Sequence, residues 1–113
     1  MKPKKVEKLW GFEEWIFNGP EGYCMKTLNL KPGFQSSLHY HPVKHETMLV
    51  VAGECDMEVE GKVERLGAGQ GHIIPPGTPH RFKAVNGPCI VVEASTHHDD
   101  EDCIRIEPSK EIK

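Results

Sequence analysis

No apolar run in this 113-residue sequence comes near the ~20 residues of a membrane-spanning helix, so a bilayer is not an expected partner. Charge of one sign is not in excess either. Lys and Arg number 14 against 17 Asp and Glu, and the net charge of -3 argues against nucleic acid as a partner. No Cys-x-x-Cys pair occurs. Cys24, Cys55, Cys89 and Cys103 lie far apart, which reads as reduced thiols in a cytoplasmic protein rather than a disulfide framework or a zinc site. The basic opening Met1-Lys2-Pro3-Lys4-Lys5 is not followed by an apolar stretch, so it does not read as a secretory signal. Helical periodicity, internal repeats and low-complexity blocks are all missing.

What the chain has is turns. Its 11 glycines and 9 prolines punctuate short β-prone runs. Val6–Phe17 reads as two strand pieces around Gly11, and Tyr23–Leu30 as a strand with mixed faces. Ser36–His41 is a further strand. Asp56–Val59 and Lys62–Leu66 flank Glu60-Gly61, a hairpin turn. Thr47–Ala52 and Cys89–Ala94 are apolar on both faces, as expected of strands covered on both sides. About nine or ten short strands with turns between them indicate an all-β sandwich or barrel. The length suits one domain over residues 1–113, with 1–5 and 107–113 expected to be flexible. The outer faces of the two doubly apolar strands point to a homodimer, sheet packed on sheet.

The chemistry concentrates between Gly33 and His80. His39 and His41 are two residues apart, so on a strand both side chains share a face. Glu46 opens the next apolar run after a short turn, and His80 follows the rigid turn Pro75-Pro76-Gly77-Thr78-Pro79. Three imidazoles and a carboxylate suit one divalent transition metal: Mn, Fe, Co, Ni or Zn. Such a set leaves coordination positions open for Lewis-acid chemistry. Parity puts Met48 and Val50 on the same side as Glu46, and Phe82 on that of His80. Because Glu46 is committed to the metal, the candidate general bases are His45, His72 and a metal-bound hydroxide. His97, His98, Asp99, Asp100 and Asp102 read as a solvated loop. Lys26, Lys44, Arg65, Arg81 and Arg105 are candidate anion anchors, with Lys26 read as lining the barrel and Arg81 as pointing outward. Trp10 and Trp15 read as core or dimer contacts.

Two motifs carry a resemblance. Gly33-x5-His39-x-His41-x4-Glu46-x6-Gly53 resembles the first cupin motif, and Gly69-x5-Pro75-x-Gly77-x2-His80 the second, with Ala84 where that motif usually closes on Asn. The resemblance implies a small antiparallel jelly-roll barrel, often dimeric, with the metal inside. It also implies that His39, His41, Glu46 and His80 are its ligands. A narrower resemblance, to the mannose-6-phosphate isomerase cupins, rests on Lys8-Leu9-Trp10-Gly11, on Ile74 to Arg81 and on Glu93 to Arg105. Those isomerases have Gln where this chain has His39, and a basic residue at Lys44, which is compatible with an anionic substrate; Lys44 joins His45 and His72 as a candidate catalytic residue. The resemblance implies a sugar or sugar-phosphate isomerase acting on a carbohydrate or small anion. The alternatives are an iron-dependent dioxygenase and a non-catalytic sugar- or metal-binding module.

Overall fold

A computed structural model of the chain describes residues 1–112. Two long strands organise it. β6 (Glu46–Val59) joins the runs Thr47–Ala52 and Asp56–Val59, and β9 (His80–Thr96) extends well beyond Cys89–Ala94 at its N-terminal end. They pair antiparallel from Glu46↔Ser95 at one end to Val59↔His80 at the other, with register shifts on both sides of Ala52. Gly53 sits at this irregularity with φ 81. A Cβ there would lie 2.3 Å from the Pro88 carbonyl oxygen, so only glycine lets the two backbones approach. Opposite, Asn86 and Gly87 also have positive φ, 59 and 128. Glu46 and His80 are at opposite ends of this ribbon, yet their side chains are 2.8 Å apart. The ribbon is therefore folded at its middle into two walls that face each other.

The first wall consists of β1 (Lys4–Lys8), β2 (Gly11–Asn18) and β3 (Tyr23–Leu30), the second half of β9, the first half of β6, and β8 (Gly71–Ile74). The second wall holds the other halves of β6 and β9 with β7 (Lys62–Gly67), β4 (Phe34–Gln35) and β5 (Leu38–Tyr40). β10 (Ile104–Glu107) and β11 (Lys110–Glu111) pair with β5 and β4. All these pairings are antiparallel, and among the described residues there is no helix. The fold is the all-β jelly-roll barrel expected, with two runs longer than the sequence reading divided them. Glu60 and Gly61 both take positive φ, 52 and 81, as a two-residue hairpin turn with matching twist requires. Lys4 and Lys5 lie in β1, and β11 falls inside the tail read as flexible. The last residue of that tail, Lys113, lies outside the described residues.

Burial follows the period of two. Leu28, Val50 and Val91 from the first wall meet Met57, Leu66 and Phe82 from the second, and all six are buried. Trp10 closes this core edge-on to Phe82, ring centroids 5.1 Å apart. Each such side chain contributes about 1.5–3 kcal/mol by leaving water. Outside, the walls differ. Leu49, Val51, Ile73 and Ile90 on the first wall are exposed, so the strands read as covered on both sides are covered on one within a single chain. The second wall instead carries the ion pairs Arg65–Asp56 and Glu58–Arg81–Glu107, and Arg81 points outward as its parity requires.

Candidate metal centre

The imidazoles come from the second wall. His39 lies in β5 directly opposite His80, the first residue of β9, and His41 follows β5 on the same face. Ring centroids are 4.5 Å apart for His39 and His80, 5.0 Å for His39 and His41, and 5.7 Å for His41 and His80. One ring nitrogen from each lies within 4.8 Å of the others. Backbone carbonyls fix the rings. Nδ1 of His39 lies 2.9 Å from Ser37 O, and that of His80 lies 2.8 Å from Thr78 O, in each case the residue two before. Nδ1 of His41 lies 2.7 Å from Asp102 O, a contact across 61 residues of chain. A carbonyl only accepts, so each Nδ1 carries the proton and each Nε2 presents its lone pair to the interior.

Glu46 comes from the first wall. Its Oε1 is 2.8 Å from His80 Nε2 and 3.6 Å from His41 Nε2, and its Oε2 is 3.2 Å from Lys44 Nζ. None of these approaches has hydrogen-bond alignment. Both Glu46 oxygens and His80 Nε2 are buried with no hydrogen-bond partner among the described residues. Buried polar atoms are rarely left so. Three inward lone pairs and an unshared carboxylate are what a divalent cation takes, so the residues present fit a metal. Protonation states agree with this. Burial, then the neighbouring His80 and His41, push His39 down to about 3, and burial also lowers His41. Burial raises the Glu46 carboxyl, but His80, Lys44 and His41 outweigh it and hold it ionised below the usual carboxylate range.

A cavity of about 590 Å³ opens from the centre towards the first wall. Lys44, expected as a basic residue near the site, is buried there, with Nζ 2.9 Å from Glu93 Oε2 and 3.1 Å from His98 Nδ1. Burial lowers the Lys44 ammonium, but Glu93 and Glu46 overcome it and raise it above its ordinary value. Glu93 interrupts what the sequence reading took as a continuously apolar strand. Its side chain is buried on the cavity face, and burial, then the charge of Glu46, raise its carboxyl. The signal was available: one acid at the inward parity of β9, two residues from Val91. Deeper along the first wall stand Lys26, Glu13 and Trp15, so Trp15 is a cavity-lining residue and Trp10 alone is core.

The two histidines expected as bases are not brought to the centre. His45 is exposed between the buried Lys44 and Glu46, and its backbone N–H donates to Thr96 Oγ1 at 3.1 Å. His72 packs on β8 with Nδ1 2.9 Å from Ile73 O, and neither lines the cavity. The acidic loop read as solvated is tied down. Asp102 accepts from the backbone N–H of Val43 and of Lys44, both at 2.8 Å, while its carbonyl holds His41. Asn18 pairs with the backbone of His98 in both directions, at 2.9 and 2.8 Å.

Comparison with known proteins agrees with this geometry. The Cupin domain family model matches residues 26–95. A mannose-1-phosphate guanylyltransferase of Salmonella typhimurium is 29% identical over 107 residues, 92% of this chain, and the chain spans only 22% of that relative's length. A D-lyxose/D-mannose isomerase of Thermosediminibacter oceani is 30% identical over 125 residues, covering 87% of this chain and 69% of the relative. The structure of KdgF from Halomonas sp. superposes with a TM-score of 0.78 at 19% identity, over 87% of this chain and 89% of that one, which is a likeness of fold. With the two motifs, the barrel and the family match in agreement, the chain belongs to the cupin family.

Proposed function

We propose that the protein is a metal-dependent isomerase of a small sugar or sugar phosphate. The observation that carries this reading is the inward set of three imidazoles and one carboxylate at the end of a polar cavity large enough for a sugar. The likeness to an enzyme named as a D-lyxose/D-mannose isomerase supports the substrate class. A divalent Mn, Fe, Co, Ni or Zn ion held by His39, His41, Glu46 and His80 supplies Lewis-acid polarisation of a carbonyl. Moving a proton between neighbouring carbons then needs a group that accepts and returns it. Glu93 has the placement and the raised affinity for a proton, and Lys44, 2.9 Å away, orients its carboxylate and steadies its charge. His45 and His72 lack that placement. Ser95 Oγ donates to the same oxygen, Glu93 Oε2, at 3.2 Å.

The exposed patch Leu49, Val51, Ile73 and Ile90 supports a homodimer joined through the first wall, and four unpaired cysteines fit a reducing compartment such as the cytoplasm. The test begins with metal analysis of untagged protein purified without added metal, followed by aldose–ketose interconversion assays on mannose, lyxose and hexose phosphates. The expected result is near one metal per chain and turnover of at least one substrate. Glu93→Gln should keep the metal and lose about 100-fold or more in kcat. A fully metallated protein that interconverts none of these sugars would sink the isomerase reading.

A further inference from the structure

The metal centre uses one end of the cavity. Elsewhere on its lining, in register with Glu93, Lys26 is 2% exposed, and its Nζ reaches one carboxylate oxygen, Glu13 Oε1, at 3.5 Å. The indole face of Trp15 lies 4.3 Å from the same nitrogen. An ammonium has three N–H donors, so two of them find no acceptor among the described residues. A charge this buried, with donors to spare and directed into a cavity, is a built half-site.

The charges around it show what completes it. The carboxylates that line the cavity already have donors or cations beside them, with Glu46 the one whose oxygens lack a hydrogen bond. Glu13 accepts from Trp15 Nε1 at 2.8 Å, Asp100 lies 2.8 Å from His98 Nε2, Glu7 is paired with Lys5 at 3.2 Å, and Glu46 and Glu93 flank Lys44. Lys8 and Arg105, at the exposed mouth, make no ion pair among the described residues. The lining cations without an ion-pair partner therefore include Lys8 and Arg105 at the mouth, and Lys26 within has a single acceptor, Glu13 at 3.5 Å. An uncharged polyol would satisfy the donors of Lys26 and add no counter-charge beyond Glu13, 3.5 Å away. A carboxylate or phosphate oxygen satisfies the donors and adds the counter-charge, through charge-assisted hydrogen bonds.

We propose that Lys26, seated on Trp15 and supported by Lys8 and Arg105 at the mouth, is the anchor for an anionic group on the small molecule whose other end meets the metal centre. The ligand is thus a sugar acid or sugar phosphate rather than a neutral sugar. This rests on reading the cavity as a substrate site, but its test does not need turnover.

The test is calorimetric titration of the full chain, freed of metal by chelation, with glucitol, gluconate and glucitol 6-phosphate. The three share one carbon skeleton, and none carries an aldehyde or ketone. The expected result is binding of at least one anion ten-fold or more tighter than glucitol, weakened by added salt. Preference for gluconate assigns a carboxylate, and preference for glucitol 6-phosphate a phosphate. Lys26→Met, nearly the same length without the charge, should bring the preference close to unity, with circular dichroism confirming the fold. If that variant does not fold, the exposed pair Lys8→Gln and Arg105→Gln should reduce the preference several-fold instead. Equal binding of all three ligands by the wild type, no binding of either anion, or an undiminished preference in folded Lys26→Met would overturn the proposal. Loss of all isomerase activity with the anion preference intact would remove the isomerase reading and leave this one standing.

Discussion

The two walls of the barrel share two long strands, β6 and β9, and contribute opposite chemistry. The second wall gives the interior three imidazoles, His39, His41 and His80, and gives solvent a layer of ion pairs. The first wall gives the interior acidic and basic side chains, Glu46, Glu93 and Lys26, and gives solvent the bare aliphatic patch of Leu49, Val51, Ile73 and Ile90. Position on the ribbon does not explain the difference, because β6 and β9 run through both. The difference shows that the candidate metal site exists only where the walls meet. Neither wall holds a complete ligand set, and Glu46 reaches His80 only because the ribbon folds at Gly53.

If that is so, a metal joins the walls, and removing it should produce the largest effect. At a free concentration 100 times its dissociation constant, a ligand bound only by the folded state adds about 2.7 kcal/mol. For a chain of this size, that is roughly 10 °C in Tm. Chelation should lower Tm by about this much, and His80→Ala should abolish both the bound metal and the chelation effect. Scanning calorimetry with elemental analysis checks it. Equal Tm values for loaded and stripped wild type would mean that the walls are joined by packing alone.

Acid should separate the walls next. Burial holds His39 at about 3 and His98 at about 4, against an ordinary value of 6.5. Between those values the unfolded chain binds protons that the folded chain refuses, so stability is fully present above pH 6.5 and falls as pH drops towards 4. Glu46, held low in the fold, adds to the loss only in more acid solution. Glu93, raised in the fold, opposes it. The metal-free protein should therefore lose Tm steadily from pH 7 to pH 4, and His39→Gln should flatten that slope. A flat profile in the wild type would show that the imidazoles take up protons as freely folded as unfolded.

Most of the second wall's chemistry was legible in the sequence, and much of the first wall's was not. His39 and His41 follow from the strand period, and His80 from a turn whose prolines announce it. Glu93 was hidden because an acid inside an apolar run looks like an exposed exception until its parity is compared with Val91. Asp102 was hidden for a different reason. Its partners Val43 and Lys44 are 59 and 58 residues away, and no local pattern encodes a cap that only the closed barrel brings into place. His45 shows the converse case, where the strand period argues against a candidate base. Adjacency to a ligand in sequence puts a residue on the opposite face of a strand, and His45 beside Glu46 is exposed for that reason.

The smallest effects on the fold should come from the outer faces, and there the walls should part company. Arg81 bridges Glu58 and Glu107 at 3.1 and 2.7 Å, but all three groups are within reach of solvent. Exposed pairs of this kind contribute about 0–1 kcal/mol, so Arg81→Met should move Tm by only a few degrees and leave the oligomeric state alone. Leu49→Lys should cost the isolated chain as little, because Leu49 is already 42% exposed and its neighbours Val51 and Ile73 are more so. In a dimer joined through the first wall, however, it places a charge in a desolvated contact, and the variant should sediment as a monomer while the wild type and Arg81→Met sediment as dimers. A monomeric wild type would mean that the bare patch has no second copy to cover it. A Leu49→Lys dimer would move the contact to another face, and the ion-paired second wall would then have to supply it.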